Sequence, residues 1–352
     1  MGVAAGLLFG LSGPATSIAT AATAEQTVSA PAVGTAGAVQ VLQLRPDFYM
    51  LTVDGTNLGL QTGPEGAVVV DPGAAGASAR LLNAIRQLST APIRFVIDTN
   101  ADADLTGGNA TLSAAGLSMM IGWQILTRNH NRPDTIKDHP LDTRAPIIAR
   151  QGVLEQLAIA AGAQSDLLAL PSETFTREQY NLRINGDIIN VVALPAAHSN
   201  GDSAVLFRRA DVVVTGAVFD ITHFPVLDLV HGGSIDGEIG AIEKLMNTLA
   251  VPSGPVVQDE DGTLIIPLRG HVCNQPDLLT YRDMLYAIRA RIQAQIAQGH
   301  TLRQVEASDP ARGYEERWGS TSGPWTTKDF VDAVYGSLAK SAANGAGRRV
   351  RQ

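Results

Sequence analysis

Short apolar runs separated by turn residues dominate the chain after residue 40. Two apolar-rich segments, Phe48–Val53 and residues 57–62, flank Asp54-Gly55, which is a strong β-hairpin signal. Ala67–Val70 and Ile93–Ile97 are continuous apolar runs of the length typical of buried strands. The pattern therefore predicts a hairpin followed by buried strands.

Helical spacing follows the first buried strand. Ser78–Leu88 carries apolar side chains on one helical face, and a second helix is predicted from about Asn109. Strands that alternate with helices indicate helices packed on sheets rather than an all-β sandwich. Three further strands are predicted, at residues 188–194, Ser203–Phe207 and residues 212–215.

The character of the chain changes after residue 275. A long helix is predicted there, ended by Gly299, with one apolar face formed by Tyr281, Leu285, Ile288, Ile292 and Ile296. A shorter helix is predicted over residues 328–338. We interpret residues 276–338 as a helical extension and residues 339–352 as a frayed basic tail.

The first 24 residues resemble a secretory leader. They combine a short apolar core, a Gly-Pro break and an Ala22-x-Ala24 cleavage signal before Glu25. No Lys or Arg precedes the apolar core, so the alternatives are a start upstream of Met1 or a disordered tail of small residues. We expect a signal peptide over residues 1–24, a linker over 25–39, and a periplasmic or secreted protein.

Composition narrows the class of protein. The chain has 352 residues, 45% of them hydrophobic, and a formal charge of −8. This balance supports a folded core and argues against a nucleic-acid partner, which requires a cationic surface. The single cysteine, Cys273, excludes an intrachain disulfide and a cysteine-built zinc cluster. No later apolar run approaches the roughly 20 residues of a membrane span, so none is expected in the mature chain.

One segment carries the functional interpretation. It lies between a predicted buried strand and a predicted helix, and it reads Asp98-Thr99-Asn100-Ala101-Asp102-Ala103-Asp104-Leu105-Thr106-Gly107-Gly108-Asn109. This segment resembles the metallo-β-lactamase superfamily loop, whose pattern is Thr-His-x-His-x-Asp-His-x-Gly-Gly-Asn. Four other segments resemble landmarks of the family and lie along the chain in the family's order, one before this loop and three after it. They are residues 70–73, 195–203, 215–219 and 266–270.

The resemblance covers roughly residues 40 to 285 and implies a fold. The expected class is α+β, a four-layer αββα metallo-β-lactamase-like sandwich over residues 40–275, with the helical extension folded over it. It also implies a site in the loops along one edge of the two sheets.

The same resemblance implies that most metal ligands are replaced. In the family, histidines and aspartates hold two zinc ions that lower the pKa of a bound water. Only Asp104 and His198 keep the family's ligand identities. The replaced ligand positions are Asn100, Asp102, Leu105, Ala217 and Arg269. A dinuclear zinc centre is therefore not expected, and a gap that brings His271 to the last position is a less favoured alignment.

The remaining donors suggest a different site. Asn100, Asp102 and His198 could hold one divalent ion weakly, zinc or manganese. Arg269 is expected in the cleft beside Asp102 or Asp104, where its permanent charge would replace a metal ion electrostatically. We assign Asp104 to the catalytic position. The alternatives are a helix cap for Asp104 and a hydrogen-bonded loop histidine for His198.

Three hypotheses follow for function. The first is an exported relative of zinc hydrolases of esters, lactams, thioesters or lactones, impaired or metal-poor, with a small-molecule substrate. The second is a catalytically inactive relative that binds a small molecule or a protein partner in the old cleft. The third is a structural subunit of a homo-oligomer. Whether the protein is an enzyme is left open by the sequence.

Overall fold

The structure is a computed structural model that describes residues 1–2, 37–119, 143–161, 166–250 and 262–349. The predicted signal peptide, apart from residues 1–2, lies outside the described residues, as does most of the predicted linker. The described residues from 37 onwards belong to one compact unit. Within the described residues, no helix combines the length and the apolar character needed to cross a membrane.

The first sheet has seven strands that follow one another in chain order. Neighbouring strands pair in the antiparallel direction from the first strand to the fourth. They pair in the parallel direction from the fourth strand to the seventh. The strands are β1 (Gln40–Arg45), β2 (Phe48–Val53), β3 (Thr56–Gln61), β4 (Ala67–Val70), β5 (Ile93–Ile97), β6 (Ile147–Arg150) and β7 (Glu173–Phe175).

The predicted hairpin is formed by β2 and β3. Asp54 and Gly55 at its turn have φ angles of 51° and 84°, both in the left-handed region. Two-residue hairpin turns of the primed types need this conformation, because its twist matches that of the flanking strands. The hairpin prediction is therefore confirmed, together with the strands β4 and β5.

The second sheet has five strands in the order β12-β11-β10-β9-β8. Only the β11–β12 pair is parallel. The strands are β8 (Gln179–Ile184), β9 (Asp187–Ala193), β10 (Ser203–Phe207), β11 (Val212–Val214) and β12 (Leu264–Ile266).

Nine α-helices lie in the described part of the chain. They are α1 (Ser78–Leu88), α2 (Ala103–Thr106), α3 (Asn109–Ala115), α4 (Gln151–Ala161), α5 (Ile235–Lys244), α6 (Gln275–Ala297), α7 (Leu302–Ala307), α8 (Glu315–Trp318) and α9 (Thr327–Arg349). Gly299, just beyond α6, has a φ of 81°, the left-handed conformation that ends many helices. Helix α9 continues to Arg349 instead of ending at residue 338 as predicted.

Three buried clusters define the layers. The cluster between the sheets contains alternate residues of both, such as Met50 and Val68 from the first and Val191 from the second. The residues between them in sequence, such as Leu51 and Val69, face the opposite side of the first sheet and pack with α1 and α3. Side chains alternate between the faces of a strand, so one sheet faces two cores.

The third cluster lies on the outer face of the second sheet. It joins Val192 and Val213 to side chains of α5, α6 and α9, among them Leu285 and Val334. Helices, two sheets and helices thus form the four layers of the predicted αββα sandwich. The C-terminal helices share the core of the second sheet, so they supply much of the fourth layer.

Candidate functional site

The loops that follow several strands meet at one edge of the two sheets. Asp102 and Asp104 follow β5, and His198 follows β9. Asp220 follows β11, and Arg269 follows β12. All five side chains line one cavity of about 360 Å³. A crevice at the carboxyl ends of strands is the usual place for a ligand in sheets with parallel strands.

His198 is held from both sides of its ring. Its Nδ1 lies 2.9 Å from the carbonyl oxygen of Val226, and its Nε2 lies 3.0 Å from Oδ1 of Asp102. A carbonyl oxygen and a carboxylate both accept, so both ring nitrogens must donate. Burial alone would lower the pKa of His198, but the hydrogen bond and charge of Asp102, with the charge of Asp202, raise it to about 10. His198 is therefore an imidazolium cation at neutral pH.

Arg269 bridges two carboxylates. Its Nη2 lies 2.8 Å from Oδ2 of Asp104, and its Nη1 lies 3.1 Å from Oδ2 of Asp220. The Asp220 side chain is only 6% exposed, and its other oxygen accepts from the backbone N–H and the hydroxyl of Thr222 at 2.7 and 2.6 Å. The guanidinium fork suits such a bridge, because it offers several donors in a fixed plane.

Asp220 is the site residue that sequence reasoning missed. The family pattern directs attention to Ala217, which has no donor atom, whereas the carboxylate that lines the cavity comes three residues later. The signal available in the sequence was an aspartate in the loop directly after a buried strand. Arg269 rather than His271 lines the cavity, so the ungapped alignment matches the structure.

Asp104 does not cap a helix. Neither α2 nor α3 has a side-chain hydrogen bond at its N-cap, and the carboxylate of Asp104 pairs with Arg269 instead. Burial and the negative charge of Asp102 raise the pKa of Asp104, while the charge of Arg269 opposes this rise. The pair with Arg269 therefore favours the ionised form of a carboxylate that its other surroundings disfavour.

The predicted metal set of Asn100, Asp102 and His198 is only partly assembled. Asp102 and His198 lie together, but Asn100 is buried and its Oδ1 accepts from the backbone N–H of Asp102 at 2.9 Å. Asn100 does not line the cavity. Its Nδ2 atom has no hydrogen-bond partner among the described residues. The one coordinating oxygen that Asn100 could offer is thus used within its own loop.

Buried carboxylates lie behind the cleft. Asp71 accepts from the backbone N–H and the hydroxyl of Thr99 at 2.8 and 2.9 Å, and burial raises its pKa to about 7. Burial also raises the pKa of Asp98 well above its usual value. Asp202 accepts from the backbone N–H groups of Ala197 and Ser199. None of these three acids lines the cavity, and their hydrogen bonds hold the loops beside it.

A second set of metal-ligating residues lies outside this cavity. One ligand atom each of His271, Cys273 and Asp277 lie within 4.8 Å of one another, the only such trio of His, Cys, Asp or Glu among the described residues. Asp277 is already engaged, because its carboxylate accepts from the backbone N–H of Asn274 at 3.1 Å. Burial and the charge of Asp277 raise the pKa of Cys273 to about 12.

Solved structures with this fold include two groups of proteins. The sec-alkylsulfatase Pisa1 from Pseudomonas sp. matches with a TM-score of 0.58 and 14% identity, over 84% of this chain and 50% of that chain. The chain therefore spans about half the length of the alkylsulfatase. VMB-1 matches with a TM-score of 0.51 and 14% identity, over 72% of this chain and 98% of that chain. A metallo-β-lactamase from Pontibacter korlensis matches with a TM-score of 0.48 and 16% identity, over 70% and 99% of the two chains.

The two-sheet topology and these structural similarities establish the fold class of the chain. The chain has the metallo-β-lactamase-like fold with a C-terminal helical region, and the resemblance seen in its motifs is confirmed at the level of the fold. No protein-family profile and no curated protein sequence matches the chain.

Proposed function

We propose that this protein binds a small molecule in the old active-site cleft of a metallo-β-lactamase-like fold, and that it lacks the zinc-dependent hydrolysis of that fold. In this proposal two protein cations, His198 and Arg269, replace the metal ions. The observation that carries it is the bridge from Arg269 to Asp104 and Asp220, at 2.8 and 3.1 Å.

The donor set does not fit a dinuclear zinc centre. Asp102 and His198 direct ligand atoms at each other, while Asp104 and Asp220 each give an oxygen to a guanidinium. Arginine stays charged at every accessible pH, so it repels a metal ion at the same place. Leu105 and Ala217 have no side-chain donor atoms. No zinc-bound hydroxide is therefore part of the proposal.

The shape of the cleft supports small-molecule binding. Its volume of about 360 Å³ lies within the range of ligand pockets in proteins. The charged pairs share the lining with the apolar side chains of Phe224, Val226, Leu268, Pro324 and Trp325. Such pockets bind ligands by apolar contact and orient them through a few polar groups.

The change in melting temperature of an Arg269→Ala variant on addition of metal ions tests this proposal. Removing the guanidinium leaves Asp104 and buried Asp220 without their cation, at a cost of about 2 kcal/mol for a half-exposed bridge. We expect the melting temperature to fall by about 4 °C. Added zinc or manganese should recover part of that loss in the variant and change the wild type little.

The Cys273→Ser background makes the test specific. It removes the thiol of the second metal-ligating trio, so a zinc response that remains is not due to that thiol. Tight binding of one or two zinc ions by the Cys273→Ser protein, measured by calorimetry, would contradict the proposal and favour the hydrolase hypothesis.

A metal-poor hydrolase is the second candidate function. It is favoured by the likeness to Pisa1, which covers 84% of this chain against 72% for VMB-1. A secondary alkyl sulfate, a nitrophenyl ester and a lactone, each assayed with and without zinc or manganese, test it. Turnover that disappears in an Asp104→Asn variant would support this candidate.

A further inference from the structure

We propose that the ligand of the cleft is an organic ammonium ion with an apolar body, whose charged group lies beside Asp102 and Asp104. This inference rests on the proposed function, because it names the chemical class of the small molecule bound there. It follows from the charges that line the cleft, from the acidic cavity next to it, and from the apolar side chains that both share.

The charges in the cleft do not balance. Three carboxylates line the cavity, those of Asp102, Asp104 and Asp220, against the two cations His198 and Arg269. His223 also lines it, and its Nδ1 lies 2.8 Å from the hydroxyl of Thr222. The same nitrogen lies 3.7 Å from Oδ2 of Asp220 as well. One oxygen of Asp102 and one of Asp104 stay outside the pairs with His198 and Arg269, which favours a ligand that brings a positive charge.

Two of the three carboxylates are accessible to a ligand. Asp102 and Asp104 each direct one oxygen at a protein cation, yet both side chains remain 39% exposed. They stand two residues apart in one loop, and each raises the electrostatic cost of the other's charge. Asp220, by contrast, is buried and already has three polar partners. An ammonium group is therefore expected beside the first two carboxylates.

A second cavity extends the acidic surface. Its volume is about 600 Å³, and it shares Asp102, His198, Val226 and Trp325 with the cleft. Asp228, Asp329 and Asp332 also line it, and no Lys or Arg does. Four carboxylates against one imidazolium make this lining acidic, although Asp228 and Asp332 already pair with His231 and Lys328. An acidic lining attracts cations and speeds their association.

The apolar side chains of the two cavities indicate an apolar body for the ligand. Val226 and Trp325 line both cavities, and Val230 in the second is 88% exposed. An indole ring attracts a cation through its π face and an alkyl chain through apolar contact. Asp104 and Asp220, which already pair with the guanidinium of Arg269, repel an anionic head group. The cleft therefore matches an alkylammonium better than an alkyl sulfate.

Three probes of equal chain length test the inference on the full chain. Octylammonium, octanol and octyl sulfate share an eight-carbon chain and have a cationic, a neutral and an anionic head group. At pH 8 and low salt, we expect octylammonium to bind at least about tenfold more tightly than octanol. Octyl sulfate should bind more weakly than octanol. Of the three probes, only octylammonium should bind more weakly when salt is added.

Variants locate the head group. Asp102→Asn and Asp104→Asn should each weaken octylammonium binding at least about fivefold more than octanol binding. Asp283→Asn is the matched control, since Asp283 is exposed and lines neither cavity. The wild-type ranking needs no variant, so the inference stays testable if a variant does not fold.

Two results would overturn the inference. Octyl sulfate that binds as well as octylammonium would mean that the charge argument is wrong while small-molecule binding stands. Absence of binding by all three probes would remove the inference outright. Failure of the proposed function has a separate signature, the tight zinc binding of the Cys273→Ser protein.

Discussion

Gly107, Gly108 and Asn109 keep the identities of the family motif because they are needed for packing. A Cβ atom on Gly108 would lie 2.2 Å from the carbonyl oxygen of Pro72. Asn109 donates to Asp98 at 2.8 Å and to the carbonyl oxygen of Ala169 at 3.0 Å. The positions that have changed, such as Leu105 and Ala217, are those that the resemblance assigns to metal ligands. Retention of the glycines is therefore no evidence for catalysis.

A glycine substitution tests this packing role. Gly108→Ala forces its methyl group into the Pro72 carbonyl, so the two loops must separate, and we expect a loss of about 3 kcal/mol in the free energy of unfolding. Gly76→Ala is the matched control, because a Cβ there meets no atom within 4 Å. Urea unfolding measures both. Equal stability of the two variants would contradict the packing interpretation.

The sequence predicted some site residues and could not predict others. Asp102, Asp104 and His198 follow predicted strands, Arg269 was placed by the family's order alone, and all four line the cavity. Asp220 was missed because its role depends on the reach of an arginine 49 residues away. Asn100 was predicted to be a metal ligand, but its Oδ1 accepts a hydrogen bond from the backbone N–H of Asp102. That oxygen is therefore turned away from the cavity. Contacts of this kind depend on side-chain direction, which the motif does not specify.

Elements with strong local signals were predicted best. The helix α1 and the strands β4, β5 and β10 have the predicted bounds, because apolar periodicity and turn residues mark both ends. Five strands were not predicted, namely β1, β6, β7, β8 and β12. Of these, β7 and β12 have three residues each, too few for a periodic pattern, and pairing with neighbouring strands forms them. The end of α9 was missed because no glycine or proline stops it at residue 338.

Helix α6 shows that the C-terminal region is part of the folded core. Leu285 is fully buried against the outer face of the second sheet. Leu285→Ala should lower the free energy of unfolding by about 3 kcal/mol, through lost apolar burial and the cavity left behind. Leu279→Ala on the same helix is the control, since Leu279 is 41% exposed. A single cooperative unfolding transition with equal effects of both variants would contradict this role.

At the scale of the whole molecule, buried titratable groups link stability to pH. Burial raises the pKa of Asp71 from 3.8 to about 7 and that of Asp202 from 3.8 to about 6. The folded state therefore holds these protons to higher pH than the unfolded state does. A group of this kind makes the folded state less stable as the pH rises from its unfolded pKa through its folded pKa. Both acids favour greater stability at mildly acidic pH.

His198 extends this dependence to alkaline pH. Burial lowers its pKa, but Asp102 and Asp202 raise it from 6.5 to about 10, so the stabilisation by its charge is complete below about 6.5 and is lost as the pH rises through about 10. We expect the melting temperature of the wild type to fall between pH about 7 and about 10. Asp102→Asn removes the largest cause of the raised pKa, so its melting temperature should change less over that interval. Asp228→Asn, which breaks the exposed pair with His231, should keep the wild-type slope. Equal slopes for wild type and Asp102→Asn would mean that His198 is neutral in the folded protein, and the pairing of two cations with three carboxylates in the cleft would have to be revised.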